Sequence, residues 1–129
     1  MQFITLDQKF YIPSEKFKDI LSSAKTIADS MYSLNYYVRK RLMSDDLSIE
    51  DFFKVFNWSS QQDLETLKIV KLTSLNPASV QLTDLMFTIL APFVEEGSFI
   101  HVEDDNKFQF AWFFSDYSWV RRFPFRAWR

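Results

Sequence analysis

Cysteine is absent from this 129-residue chain, and glycine and histidine occur once each, as Gly97 and His101. Without cysteine there is no disulfide, no thiolate metal site and no thiol nucleophile. One glycine is too few for a glycine-rich phosphate loop, which excludes the common nucleotide-binding folds. No apolar run approaches the ~18 residues that a membrane span requires. Met1-Gln2-Phe3-Ile4 leads directly into polar residues, with no signal-peptide pattern. These absences point to a soluble, cytoplasmic protein with no membrane partner.

Aromatic residues are plentiful. Phe, Trp and Tyr make up 19% of the chain and include fifteen phenylalanines. With 47% hydrophobic and 25% charged residues the composition is globular. A chain of this length forms one domain, 1–129, and buries roughly 65–70% of its unfolded surface. A core of that size absorbs most of the phenylalanines. Net charge is −2 but uneven. Residues 1–109 hold 11 Lys/Arg against 16 Asp/Glu, whereas residues 110–129 hold four Arg against one Asp. A basic end of this kind either docks an anion or pairs with acidic neighbours inside the fold.

Phe3 to Ile12 alternates loosely and stops at Pro13, which suits a strand. Ser14 then stands where a helix cap belongs, with Glu15 in the first turn. Phe17, Ile20, Leu21, Ala24, Ile27, Ala28 and Met31 follow at helical spacing and predict one buried face. Leu34–Arg41 reads as a continued helix or a short strand, and Tyr36, Tyr37 and Val38 favour a strand or extended link. Ser48-Ile49-Glu50-Asp51 resembles a capping box, opening a short helix with Ile49, Phe52, Phe53 and Phe56 inward and an end near Asn57–Ser60. Leu67–Thr73 predicts a strand with Leu67, Ile69 and Lys71 on one side, broken by Ser74-Leu75-Asn76-Pro77. A further helix spans about Val80–Leu90, with Leu82, Leu85, Met86, Ile89 and Leu90 inward, and Pro92 stops it. Gly97 supplies a positive φ at the link to the next strand.

Phe108, Phe110, Trp112 and Phe114 then alternate, which predicts a strand with one aromatic face. Pairing Val102 with Phe108 and Ile100 with Phe110 keeps both strands apolar on the same side. It leaves an odd loop of five, Glu103–Lys107. An even loop would set Glu103 and His101 against the aromatic face. Phe99, His101, Gln109, Ala111 and Phe113 occupy the other side. Trp119–Phe125 predicts a last strand after the turn Ser115–Ser118. The whole reads as a single two-layer α+β domain, an antiparallel sheet with about three helices mainly on one face.

Ala91-Pro92-Phe93-Val94-Glu95-Glu96-Gly97-Ser98-Phe99-Ile100, then Glu103-Asp104, then Phe108-Gln109-Phe110-Ala111-Trp112, resembles a C-terminal pattern in a group of small uncharacterised bacterial and mobile-element α+β proteins. The resemblance covers about residues 48–114, with specific motifs in 91–112. Val102 and Asp105 stand where the pattern usually has glycines, Phe108 replaces a tryptophan and Gln109 an arginine. The resemblance implies α+β architecture and a bacterial or phage origin, and it carries no activity.

No catalytic, cofactor or metal site is expected. His101 has only Glu103 as a same-face carboxylate nearby, and no nucleophile motif accompanies it. Glu103-Asp104-Asp105-Asn106 lacks the spacing of a calcium loop and reads as a solvated turn, as does Asp45-Asp46. The sequence therefore points to a non-enzymatic module that binds another protein, since Trp, Phe and Arg dominate interface hot spots. Its candidate contacts are Phe99, Phe113, Trp119, Arg121, Arg122, Arg126 and Trp128. The acidic loop Glu103, Asp104 and Asp105 offers an alternative face for a basic target. A second reading is nucleic-acid binding, with Arg121, Arg122, Arg126 and Arg129 neutralising phosphates while the interleaved rings stack on bases, and with Arg39-Lys40-Arg41 adding to the patch. An isoelectric point near 5.3 opposes that reading.

Overall fold

Local signals account for most of the helices. The computed structural model describes residues 2–75 and 78–123. After strand β1 (Ile4–Lys9), a 3-10 turn at Ser14–Lys16 leads into α1 (Phe17–Ser30). Ser14 gives the helix no side-chain cap, contrary to the sequence reading. Ile20, Ala24 and Ala28 form the buried stripe that the spacing predicted. Tyr36–Leu42 is helix α2, not an extended link. Asn35 decides this, because its Oδ1 accepts from the backbone N–H of Tyr37 and Val38. Val38 and Leu42, four apart, then bury one face. Ser48 caps α3 (Ile49–Val55) by accepting from Asp51 N–H. Ser79 does the same at Leu82 for α4 (Val80–Leu90).

Trp58–Gln62 is a strand, β2, where the sequence suggested only a helix end, and it pairs antiparallel with β3 (Ile69–Ser74). The irregularity between Gln61 and Gln62 leaves Val70 unopposed and shifts the inward set. Ile69, Leu72 and Ser74 are consequently buried, Lys71 faces out, and Leu67 lies before the strand, exposed, at φ 61°. Asp63 organises that turn by accepting from Thr66 and Glu65, and the Thr66 hydrogen bonds hold its carboxyl below the usual range.

The main sheet runs β1-β4-β5-β6, all antiparallel, with β4 at Phe99–Glu103, β5 at Gln109–Ser115 and β6 at Ser118–Arg122. Pro92 confines its turn to a 3-10 segment, and Gly97 takes φ +83° at the entry to β4, as expected. In the β4–β5 hairpin Ile100 pairs with Trp112 and Val102 with Phe110, two residues from the expected register. A slip of two preserves the faces, so Ile100, Val102, Phe110, Trp112 and Phe114 are all buried. Phe108, placed inward by the sequence reading, instead belongs to the loop and is 66% exposed. The loop tightens because Asp104 N–H donates to Phe108 O while Lys107 takes φ 67°, the three-residue turn with a left-handed last residue.

All four helices share one hydrophobic cluster with the inner sheet face and with β2–β3. At its centre Phe87 of α4 lies 4.9 Å from Trp112, 5.2 Å from Phe114, 5.9 Å from Trp58 and 6.1 Å from Phe10, ring to ring. The helix also carries polar groups into this layer. Trp58 Nε1–H donates to Thr83 Oγ1 at 3.0 Å, and neither residue has exposed surface. Thr83→Val preserves shape but strands that indole donor, so it is expected to lose about 1–3 kcal/mol in denaturant unfolding while Thr83→Ser retains most of the stability.

Candidate protein-docking face

Alternation along each strand divides the candidate residues between two faces. On the outer side, the ladder sets Lys9, Phe99, Phe113 and Val120 in one row and Asp7, His101, Ala111 and Arg122 in the next. Ile4, Glu103 and Gln109 form a third. None of these residues belongs to the helix-covered cluster. Phe99 and Phe113 stack at 5.7 Å with ring planes 27° apart, and the Arg122 guanidinium lies 5.0 Å from the Phe113 ring centre. Val120 is 49% exposed and Ile4 51%. Ala111, read as part of an open face, has no exposed surface. The face thus presents an apolar row beside a row carrying Asp7 at one edge and Arg122 at the other.

Trp119 and Arg121 point the other way, onto α4. Trp119 Nε1–H donates to Thr88 Oγ1 at 3.0 Å. Arg121 forms an ion pair with Asp84, whose other oxygen accepts from Trp112 Nε1–H at 2.9 Å. The guanidinium also lies 5.4 Å from the Phe110 ring and 5.9 Å from those of Trp112 and Trp119. These two residues therefore close the edge of the helix layer. Asp84 and Thr88 were not singled out in the sequence, although the Thr83-Asp84 pair beside the apolar residues of the helix is a readable sign of polar partners at its packed side.

The acidic loop lies at the far end of the hairpin, about 14 Å along the strands from the Phe99–Phe113 pair. Asp104 Oδ1 accepts from Asn106 and Phe108 N–H, and the Asp105 carboxylate accepts from Gln2 N–H. Both carboxylates serve the turn and its contact with β1. Glu103 occupies the outer face at the last ladder pair before the loop. Arg126 and Trp128 lie outside the described residues. Of the predicted contacts, the sheet brings Phe99, Phe113 and Arg122 together and sends Trp119 and Arg121 inward. Arg39 is likewise used locally, donating to the carbonyls of Ala28 and Asp29 at the end of α1.

Among the described residues no group of three or more metal-ligating side chains converges, and no helix is long and apolar enough to cross a membrane. The two neighbouring arginines should separate cleanly by mutation. Arg121→Ala is expected to cost about 2 kcal/mol through loss of a charged hydrogen bond at a half-buried site. Arg122→Ala should stay within about 0.5 kcal/mol, both read by chemical denaturation. Compared with protein-family models, curated proteins and solved structures, the chain matches none of them.

Proposed function

We propose that this chain is a non-enzymatic protein-binding module that acts in the cytoplasm by occupying a surface of its target. An inhibitor, immunity or accessory protein of a phage or other mobile element is the role that its resemblance suggests. The observation that supports binding is the outer sheet face. All four helices pack on the opposite side, and this face keeps a row of Phe99, Phe113 and Val120 bordered by charges of both signs. An apolar centre with a charged rim is the usual anatomy of a protein interface. Nucleic-acid binding has less support, because Arg121 is committed to Asp84.

The test uses the full chain as bait in extract from its native host. A protein retained by wild type should fall about tenfold or more with Val120→Glu or Lys9→Glu on the outer face. It should be unaffected by Tyr37→Glu on the exposed side of α2. Loss of all specific retention after nuclease treatment would favour the nucleic-acid reading, and equal retention by the outer-face variants would remove this face from the site.

A further inference from the structure

The two sheets meet along β1 and β3, and they meet in an unusual way. At one end they pair directly: Ile12 N–H donates to Ile69 O at 3.1 Å and Ile69 N–H to Ile12 O at 2.9 Å. Four residues back along the chain, the Gln8 side chain fills the gap. Its Nε2 donates to Leu72 O and its Oε1 accepts from Leu72 N–H, both at 2.9 Å. A residue of an antiparallel strand offers its neighbour the same pair, one N–H and one C=O. The amide therefore gives Leu72 the pair of hydrogen bonds that a neighbouring strand would supply. Directly paired strands lie about 4.8 Å apart and leave no room for such a group.

Beyond Gln8 the strands border an open cleft of about 480 Å³, lined by Gln2 to Gln8 on one side and by Lys71, Thr73 and Ser74 on the other. Leu72 turns its backbone groups toward β1, and Leu75 N–H donates to Asn57 O on the β2 side. By the alternation of the ladder, Ser74 then directs its N–H and C=O toward the cleft. Thr5 is also among its lining residues, with its Oγ1 buried and without a hydrogen-bond partner among the described residues. Phe3 and Ser74 are buried in its lining, while Asp7 stands exposed on one wall and Lys71 on the other.

We propose that this cleft binds an extended peptide segment of a partner protein, which enters as a strand between β3 and β1. Four residues, Ile4 to Asp7, span about 13 Å of β1 edge, enough to hold a short strand. The occupant carries small or apolar side chains inward, against Phe3. Outward it carries charge, acidic toward Lys71 and basic toward Asp7. The opposite edge strand of the main sheet among the described residues, β6, carries the inward-pointing Arg121. The cleft shares Ile4 and Asp7 with the rim of the outer face, but none of Phe99, Phe113 and Val120 lines it.

The probe is a displayed library of random octapeptides selected against the full chain, with winners synthesised for fluorescence anisotropy and amide shift mapping. Bound peptides should move the signals of Thr5, Leu6, Lys71, Thr73 and Ser74. Methylating alternate peptide nitrogens should weaken binding about tenfold or more, because backbone hydrogen bonds supply the affinity. Lys71→Glu should weaken acidic winners while leaving the thermal midpoint unchanged, and Val120→Glu should have no effect. The proposal is overturned if no peptide is selected, if the shifts map to another surface, or if methylation leaves affinity unchanged.

Discussion

Helix α4 has to satisfy tryptophans from three strands at once, and the rest of the structure is arranged around that demand. Trp58 of β2, Trp112 of β5 and Trp119 of β6 each donate an indole N–H to it, at Thr83, Asp84 and Thr88. Trp58 donates from a fully buried site, where an unpartnered indole costs a substantial part of a small domain's net stability, whereas Trp119 makes its bond at the exposed rim. Rings of this size also need close-packed neighbours, and Phe87 supplies them from the same helix. One eleven-residue helix therefore sets the position of both sheets relative to the helical layer.

That constraint explains how the aromatic and arginine-rich segment is divided. Asp84 accepts from Trp112 and pairs with Arg121, so the inner side of β6 is used to complete the core. Among the described residues of β6, Val120 and Arg122 face the outer side. The pleat thus sends the neighbouring arginines Arg121 and Arg122 to opposite faces. The acidic hairpin tip is also less free than its composition suggests, since Asp104 and Asp105 accept backbone N–H groups.

The Gln8–Leu72 contact shows a second consequence of joining two sheets. The short β2–β3 pair packs beside α3, whereas β1 belongs to the main sheet. Their edges can pair directly at Ile12 and Ile69 but then separate. A side-chain amide holds the separation at Gln8, and the cleft opens beyond it.

Much of this was legible in the chain. The apolar stripe of α1, the cap at Ser48, the stop at Pro92 and the positive φ at Gly97 are local effects, decided within a few residues. The two faces of the β4–β5 hairpin were also readable, because side-chain parity survives a register error of two. Helix α2 was misread because β propensity at Tyr36–Val38 is weak beside the cap that Asn35 provides. Strand β2, a polar Trp-Ser-Ser-Gln-Gln segment, carries no pattern of its own and exists because β3 pairs with it. The candidate contacts were half legible, as residue types but not as directions. By itself the sequence determined α1, α3, α4, the apolar side of the β4–β5 hairpin and the α+β class, since periodicity and capping are short-range. Only the tertiary structure decided that Arg121 meets Asp84 37 residues away and that Gln8 bridges to Leu72. Those contacts join residues distant along the chain, and no local pattern encodes which distant partner a polar side chain will meet.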